Sequence, residues 1–570
     1  MRLTSTKTKN AESFYAIKTV KYNGKQTTRV VEKLGTLEEI KARIGEDKDP
    51  YQWAKEYVQE LNRKEKEETR EIIMKYSPSR QIKKDDQRLY NVGYLFLQKI
   101  YHDLGLEQVS ETINRKYKYE YDLDEILSRL VYGRILFPSS KLNTFEQSKE
   151  FVEPPTFDLH QVYRALEIIS KESDTIETCV YKNSKRLAKR NTGILYYDCS
   201  NFYFEIEKAD GIKQYGISKE HRPNPIVQMG LFMDGNGIPL AFSIFDGNQN
   251  EQKSLKPLEK RIISDFGMSK FVVCTDAGLA STENRIFNTL EDRSFIVTQS
   301  LKKLKAHLVE WSLDPSGWQR AGDKKKYNLV EIDETKFIDS TFYKERWTNE
   351  NGFSQKLIVT YSVKYKLYQK SVRLAQIDRA KKLASSLSNY DRTKQNDPKR
   401  FISDQHLTKE GQPAEDRRLE IDENIIADEE RFDGFYAACT NLDDEAPVIL
   451  EVIQRRWEIE ECFRIMKSEL RARPVYLSRE DRIRAHFVTC FLALVIFRLL
   501  EAKLPSGYTC PEIVRTLRNM RLFDLDGNGF TPAYTRTDLT DAMHDAFGFR
   551  TDFQAVNPSA LKRIIKMTHS

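Results

Sequence analysis

The sequence predicts a multidomain α+β protein, and three observations carry that prediction. At 570 residues the chain is too long for one compact core and should divide into roughly two to four domains. Its apolar spacing changes at Gly193 from the three-four rhythm of helices to the alternation of strands. Asp276 and Glu460 each mark a well-defined element yet stand 184 residues apart (460 − 276). A structureless stretch of that length does not belong inside a domain, so an inserted subdomain with strands of its own is expected between them.

Taken in order, residues 13–35 alternate apolar and polar about Asn23-Gly24, a two-residue hairpin signal, so Phe14–Tyr22 should pair with Thr27–Leu34. From Glu38 to about Arg70 the pattern is helical and charge-dense, and Ser77–Asp86 reads as a linker. A helical region follows from Gly93 to Arg190. Its short helices, with Lys141, Arg164 and Lys182 among them, suit either a helix-turn-helix module or an ordinary helical domain with a charged surface. Strands are expected over Ile194–Ile206, then Ile226–Met233 and Ile238–Phe245 joined by Asp234-Gly-Asn-Gly237. An amphipathic helix after Pro257, a strand ending at Asp276 and another over Ser294–Gln299 complete the first half. Within the insertion, Lys326–Phe337 and Lys356–Val363 read as strands, Arg379–Leu387 as helix and Lys394–Glu430 as loop. Strand signals resume at Gly434–Thr440. The divisions expected are 1–80 (hairpin and charged helix), 81–190 (helical, candidate DNA-binding), 191–300 and 431–505 (core), 301–430 (β-rich insertion) and 506–570 (helical).

Hydrophobic residues at 39% and charged residues at 31% describe a globular, highly charged chain. A net charge of +7 permits nucleic-acid binding, and the placement of that charge matters more than its sum. Seven scattered cysteines without a CxxC pair argue against a disulfide framework or zinc site and suit a reducing cytoplasm. Phe487–Leu500, interrupted by Thr489 and Arg498, is shorter than the roughly 20 residues of a spanning helix. It reads as a buried core helix, and no membrane partner is expected. Asp524-Leu-Asp-Gly-Asn-Gly529 opens like a calcium loop, but Thr535 stands where a bidentate Glu is needed, so a turn is expected. No Walker loop, HExxH or nucleophile elbow occurs.

The chemistry concentrates in three acids. Asp198 ends Gly193-Ile-Leu-Tyr-Tyr-Asp198, Asp276 ends Phe271-Val-Val-Cys-Thr-Asp276, and Glu460 lies in the helical run Arg455–Lys467. One Asp at a strand end is most simply a turn residue or helix cap. Carboxylates delivered from separate elements to one point are hard oxygen ligands suited to Mg²⁺, and two such ions can serve phosphoryl transfer. At about 100° per residue, Val452, Ile459, Phe463, Met466 and Leu470 form an apolar stripe roughly 60° wide, with Arg456, Glu460, Arg464 and Lys467 on its flank. Taken alone, that flank is equally an amphipathic helix with i,i+4 ion pairs. Arg-rich Arg455–Arg484 suits geometric gripping of phosphates, and Trp311, Trp318 and Trp347 in the insertion read as core or as stacking platforms.

These segments resemble DDE transposases of bacterial insertion sequences, in particular the insertion-sequence-four-like group. The helix pattern of that group is Tyr, two residues, Arg, three residues, Glu, six residues, Lys. Arg456, Glu460 and Lys467 match it, while the Tyr position holds Ile453. Further likeness lies in Tyr215–Arg222, Phe245-Asp-Gly-Asn248, Phe432-Asp-Gly-Phe435, Thr440-Asn441 and Arg473-Pro-Val-Tyr476. The resemblance implies an RNase H-like mixed α/β catalytic core interrupted by a β-rich insertion. It implies Asp198, Asp276 and Glu460 as catalytic ligands of two Mg²⁺ ions, with Mn²⁺ able to substitute. It further implies DNA contacts through Arg456, Arg464, Lys467, Ser218, Lys219, His221, Arg222 and Arg473. The expected partners are terminal inverted repeats and target DNA, bridged by a homodimer, in a bacterial cytoplasm at the nucleoid. Two rival functions stay open: a nuclease on the same fold without strand transfer, and a non-catalytic DNA-binding descendant of a transposase.

Overall fold

The computed structural model describes residues 1–570 except 9–10, 23–24, 46–48, 69–76, 351, 385–396 and 408–412. The chain forms two units: Met1–Tyr90 with Arg521–Thr535 and Arg550–Ile565, and Asn91–Met520 with Arg536–Phe549 and Lys566–Ser570.

In the first unit β1 (Arg2–Lys7), β2 (Glu12–Tyr22) and β3 (Lys25–Thr36) form an antiparallel sheet. The expected pairing of the two hairpin strands is present, and the turn Asn23-Gly24 lies outside the described residues. Thr36 starts α1 (Leu37–Ile44) through a capping box, its hydroxyl accepting the Glu39 N–H while the Glu39 carboxylate accepts the Thr36 N–H. With α2 (Pro50–Glu68), this helix buries Ile40, Ala54 and Val58 against Phe14, Ala16 and Leu34 of the sheet. A short β4 (Leu89–Asn91) follows the linker.

The second unit begins with six helices: α3 (Tyr94–Asp103), α4 (Leu106–Lys116), α5 (Leu123–Leu136), α6 (Lys141–Ser148), α7 (Leu159–Lys171) and α8 (Ser173–Leu187). Arg164 and Lys182 are exposed on this bundle, but Lys141 is buried, which removes it from any helix-turn-helix surface. Next come β5 (Ile194–Tyr203), β6 (Ile226–Asp234), β7 (Pro239–Asp246), α9 (Gln252–Phe266), β8 (Phe271–Thr275), α10 (Thr282–Phe287) and β9 (Arg293–Gln299). The helix expected after Pro257 thus begins five residues before it. The insertion supplies α11 (Ala306–Leu313), β10 (Gln319–Arg320), β11 (Thr341–Glu350), β12 (Phe353–Ser362), α12 (Val363–Ala384), β13 (Ile402–Leu407), β14 (Pro413–Ile421) and α13 (Glu423–Glu430). The core resumes with β15 (Phe435–Thr440), α14 (Ala446–Gln454), α15 (Trp457–Ser468), α16 (Glu480–Lys503) and α17 (Cys510–Asn519).

Nine strands make one mixed sheet in the order β10-β11-β12-β15-β9-β8-β5-β6-β7. β8 runs parallel to both β5 and β9; the remaining neighbours are antiparallel. The insertion's β10–β12 therefore extend the core sheet through the β12–β15 pair, and only β13–β14 stand apart. Leu195, Tyr197 and Cys199 of β5 pack with Leu255, Leu258, Ile262 and Phe266 of α9. Strand alternation then turns Tyr196 and Asp198 to the opposite face. There the Tyr196 hydroxyl donates to the Val452 carbonyl of α14 at 2.8 Å. Helix α16 is long and apolar enough to cross a membrane by length and composition, yet 89% of its most apolar window is buried. It packs on α3, α5, α7 and β7.

Three local readings are corrected. Lys326–Phe337 is not a strand: Tyr327 makes only a bridge to Trp318. Asn328 and Asp333 instead accept local N–H groups from Val330, Thr335 and Lys336, turning the backbone away from a ladder. The described part of Lys394–Glu430 is not loop but β13, β14 and α13; charges at nearly half of its positions interrupt any apolar alternation. The helix drawn through Arg455 breaks there, with α14 ending at Gln454 and α15 beginning at Trp457.

Beyond α17, β16 (Arg521–Asp524) and β17 (Phe530–Pro532) form a three-stranded sheet with β4, so the tail expected to be helical is mixed. The calcium-like segment is the turn between these strands, where the Gly527 N–H donates to Asp524 Oδ1 at 2.9 Å. Helices α18 (Asp538–Phe547) and α19 (Pro558–Thr568) complete the chain.

Candidate active site

Parallel pairing of β5 and β8 sets the geometry of the two aspartates. The register runs Ile194↔Val272, Leu195↔Val273 and Tyr196↔Cys274. Carried two residues further, it brings Asp198 level with Asp276, the first residue after β8. Asp276 turns the chain there, its Oδ1 accepting the Leu279 N–H at 3.0 Å. Burial raises the Asp198 carboxyl to about 6; Lys219 opposes the shift, the negative charge of Asp276 adds to it, and Arg456 opposes it weakly.

A third carboxylate joins the pair, one that the sequence reading missed. Glu251 lies just before α9, and burial raises it too, with Lys219 opposing and Asp276 adding. Lys219 Nζ stands between these groups, 4.0 Å from Asp198 Oδ1 and 3.7 Å from Glu251 Oε1, and also donates to the Cys199 carbonyl. The sequence signal for Glu251 was its place three residues after the Phe245-Asp-Gly-Asn248 motif, which has no periodicity to single it out.

Glu460 comes from α15, whose buried face is Ile459, Cys462, Phe463, Ile465 and Met466. Its exposed carboxylate accepts from Arg456 at 2.9 Å. Arg456 also acts weakly on the charge of Asp198. Ile453, at the family's Tyr position, is buried on α14. Arg464 turns to Glu461 and is exposed, away from this group.

Lys467 lies inward, 5.7 Å from the Phe202 ring centroid and 3.6 Å from Glu220. Burial lowers its ammonium to about 8, with Lys219 adding and Asp198 opposing. Glu220, also missed in the sequence, gathers Lys467, Arg473 and Arg222. Arg222 and Arg473 both lie over the Tyr203 ring, at 4.2 and 5.9 Å. Ser218 shapes this loop: its Oγ accepts the N–H groups of Glu220 and Arg222, and His221 adopts a positive φ of 57°. The Ser218 hydroxyl is thereby committed to the backbone.

Oxygen-only donors at Asp198, Asp276 and Glu251 fit a hard divalent cation, and the Lys219 ammonium between Asp198 and Glu251 stands where positive charge is wanted. No curated protein matches the chain. Among solved structures, it is similar to a piggyBac transposase synaptic complex with hairpin DNA, determined by cryo-EM. Identity is 8% over 85% of this chain and 88% of that chain, with a TM-score of 0.34. The family described as "Transposase DDE domain" matches residues 192–496, more than half of the chain and a span that holds all three acids. The chain belongs to the transposase DDE domain family.

Proposed function

We propose that this protein is a DNA transposase of the insertion-sequence-four-like group, built on an RNase H-like core. It cuts at the terminal inverted repeats of its element and joins the freed ends to target DNA. The observation that carries the reading is that the parallel register of β5 and β8 brings Asp276, at the end of β8, level with Asp198 of β5, which lies on the sheet face that α14 touches. Asp198, Asp276 and Glu460 would hold Mg²⁺ or Mn²⁺, which when bound supplies activation of the nucleophile and stabilisation of the leaving oxygen. Glu251 is close enough to Lys219 and Asp276 to contribute to the same acidic cluster.

In this reading Arg456 and Lys467 hold the phosphates flanking the scissile bond, and Lys219 orients the acid cluster. Water attacks the phosphodiester, taking the phosphate as a 5′-phosphate and releasing a 3′-hydroxyl; that hydroxyl then attacks a phosphodiester of the target strand, forming a new P–O bond as the target's own 3′-oxygen leaves. No covalent link to the protein is required. A homodimer would present two ends together.

The test incubates the protein and its Asp198→Asn variant with a plasmid carrying the gene's flanking DNA, with and without Mg²⁺. Sequencing reads both cut ends and joined products. Metal-dependent cutting at inverted repeats with joining, abolished in Asp198→Asn while the variant still binds the end DNA, is the expected result. The variant should melt no lower than wild type, because it removes one of two neighbouring like charges. Cutting that persists in the folded variant overturns the assignment; cutting without joining moves the protein to the nuclease reading.

A further inference from the structure

A cavity of about 370 Å³ lies between the N-terminus of α6 and the segment joining α15 to α16. Arg134, Ser140, Lys141, Arg471, Arg473 and His486 line it, and among the described residues no carboxylate does. Lys141 is only 5% exposed and its Nζ has no hydrogen-bond partner. Arg134 is 4% exposed; its Nη groups donate to the carbonyls of Ser139, Leu470 and Arg471, which leaves Nε without a partner. His486 is buried beside them, its Nε2 3.1 Å from the Ala472 carbonyl. Burial, with Arg134 adding to it, lowers Lys141 to about 7.

Buried ammonium and guanidinium groups are ordinarily paired, because an uncompensated charge out of water is strongly unfavourable. Here two cations share a space large enough for a ligand, with no anion of the chain between them. A guanidinium fork beside a point-charge ammonium is the donor set that suits phosphate. Tyr476, 70% exposed at the rim, presents an aromatic ring of the kind on which a base stacks.

We propose that this cavity is a phosphate-binding site for a DNA strand, with Lys141 and Arg134 neutralising one phosphodiester and Tyr476 stacking on a neighbouring base. That the phosphate belongs to DNA rests on the transposase reading; the anion site does not. Arg473 lines the cavity and is also paired with Glu220, which Lys467 reaches at 3.6 Å. A strand leaving this anchor toward Asp198 would meet Arg473 and Lys467, which Glu220 joins.

The test uses the full chain and its Lys141→Met variant, which keeps side-chain length and removes the charge. Inorganic phosphate, titrated at constant ionic strength against chloride, should raise the melting temperature of wild type saturably and leave Lys141→Met unmoved. Without phosphate the variant should melt at or above wild type, since it lacks the uncompensated charge. Its affinity for flanking DNA should fall roughly ten- to a hundredfold at low salt, and the slope of log K against log salt should shrink by about one. An equal phosphate response in both proteins overturns the site. A phosphate response lost in the variant with unchanged DNA affinity and slope overturns the DNA assignment and leaves a site for free anions. If Lys141→Met does not fold, crystals of wild type grown with tungstate decide: anomalous density within reach of Lys141 Nζ supports the site, and its absence overturns it. Wild type that shows both the phosphate and the DNA response but never cuts would remove the transposase reading and leave this inference standing.

Discussion

Asp198, half-buried, and Glu259, buried, are both carboxylates held above the usual range, at about 6 and about 8, and their surroundings differ in kind. Asp198 faces a second aspartate. Glu259 on α9 has no acidic neighbour acting on it; burial alone raises it, against a hydrogen bond from Asn288 and the charges of Arg293 and Lys256. One of its oxygens has no partner, as expected of a neutral acid. Because its folded pKa lies above its unfolded value, the native state holds the extra proton. Stability is then fully present below about pH 4.5 and lost as pH rises toward about 8. Unfolding by urea across that window should show wild type losing up to about 1.4 kcal/mol per pH unit from this group, and Glu259→Gln should flatten the loss. Equal slopes in the two proteins would mean that Glu259 is ionised in the native state. At this scale the aspartates were legible because each follows an apolar run in the sequence, although Asp198 proves to lie in the middle of β5 rather than at its end. Glu251 and Glu220 were not, since only the folded chain carries them to Lys219 and Lys467.

Elements decide whether those residues meet. The parity of β5, with 195, 197 and 199 packed on α9, is what turns Asp198 to the other face. That parity was readable from alternation; the parallel neighbour β8 was not, since nothing local encodes which strand lies alongside. Gly230 of β6 protects the arrangement: it pairs with Cys199, and a Cβ there would lie 2.1 Å from the Tyr197 hydroxyl. Gly230→Ala must displace Tyr197 from Ser254 Oγ, now 2.6 Å away. It should cost about 1–3 kcal/mol, measured by chemical denaturation, with cleavage reduced beyond the stability loss because β5 shifts. The insertion shows the opposite limit of legibility. Its three tryptophans looked alike in sequence, yet Trp318 is fully buried and donates to the Asp314 carbonyl, while Trp347 is 45% exposed on β11. Burial of that kind depends on sheet pairing across long separations, here β12 with β15.

At the scale of the whole molecule, the least legible fact is that residues near the C-terminus complete the N-terminal unit. β4 pairs with β16, and β16 with β17, across more than 400 residues of intervening chain. A chain ending at Met520 loses two of those three strands, and with them the ion pair of Arg88 with Asp526 at 3.2 Å. Limited trypsinolysis should then cut at Arg88 much faster than in the full chain, while the urea transition of the second unit's sheet is retained. An unchanged cleavage rate at Arg88 would show that β4 needs no partner. The family assignment was legible at this scale because the motifs spread along residues 192–496 are read together, whereas the order of nine strands is not written in any one of them.

The continuity of that sheet has a mechanical consequence. Six successive residue pairs, Lys356↔Thr440 to Tyr361↔Phe435, stitch β12 to β15. From β15 an unbroken ladder passes through β9 and β8 to β5 and Asp198. The insertion's strands are thus cantilevered from the nine-stranded sheet rather than hung on a hinge. They cannot swing without unzipping backbone bonds one row at a time. Load applied to β11, the strand that displays Trp347, is borne as torsion of the whole ribbon, and so reaches the acid cluster as a small twist rather than a separation.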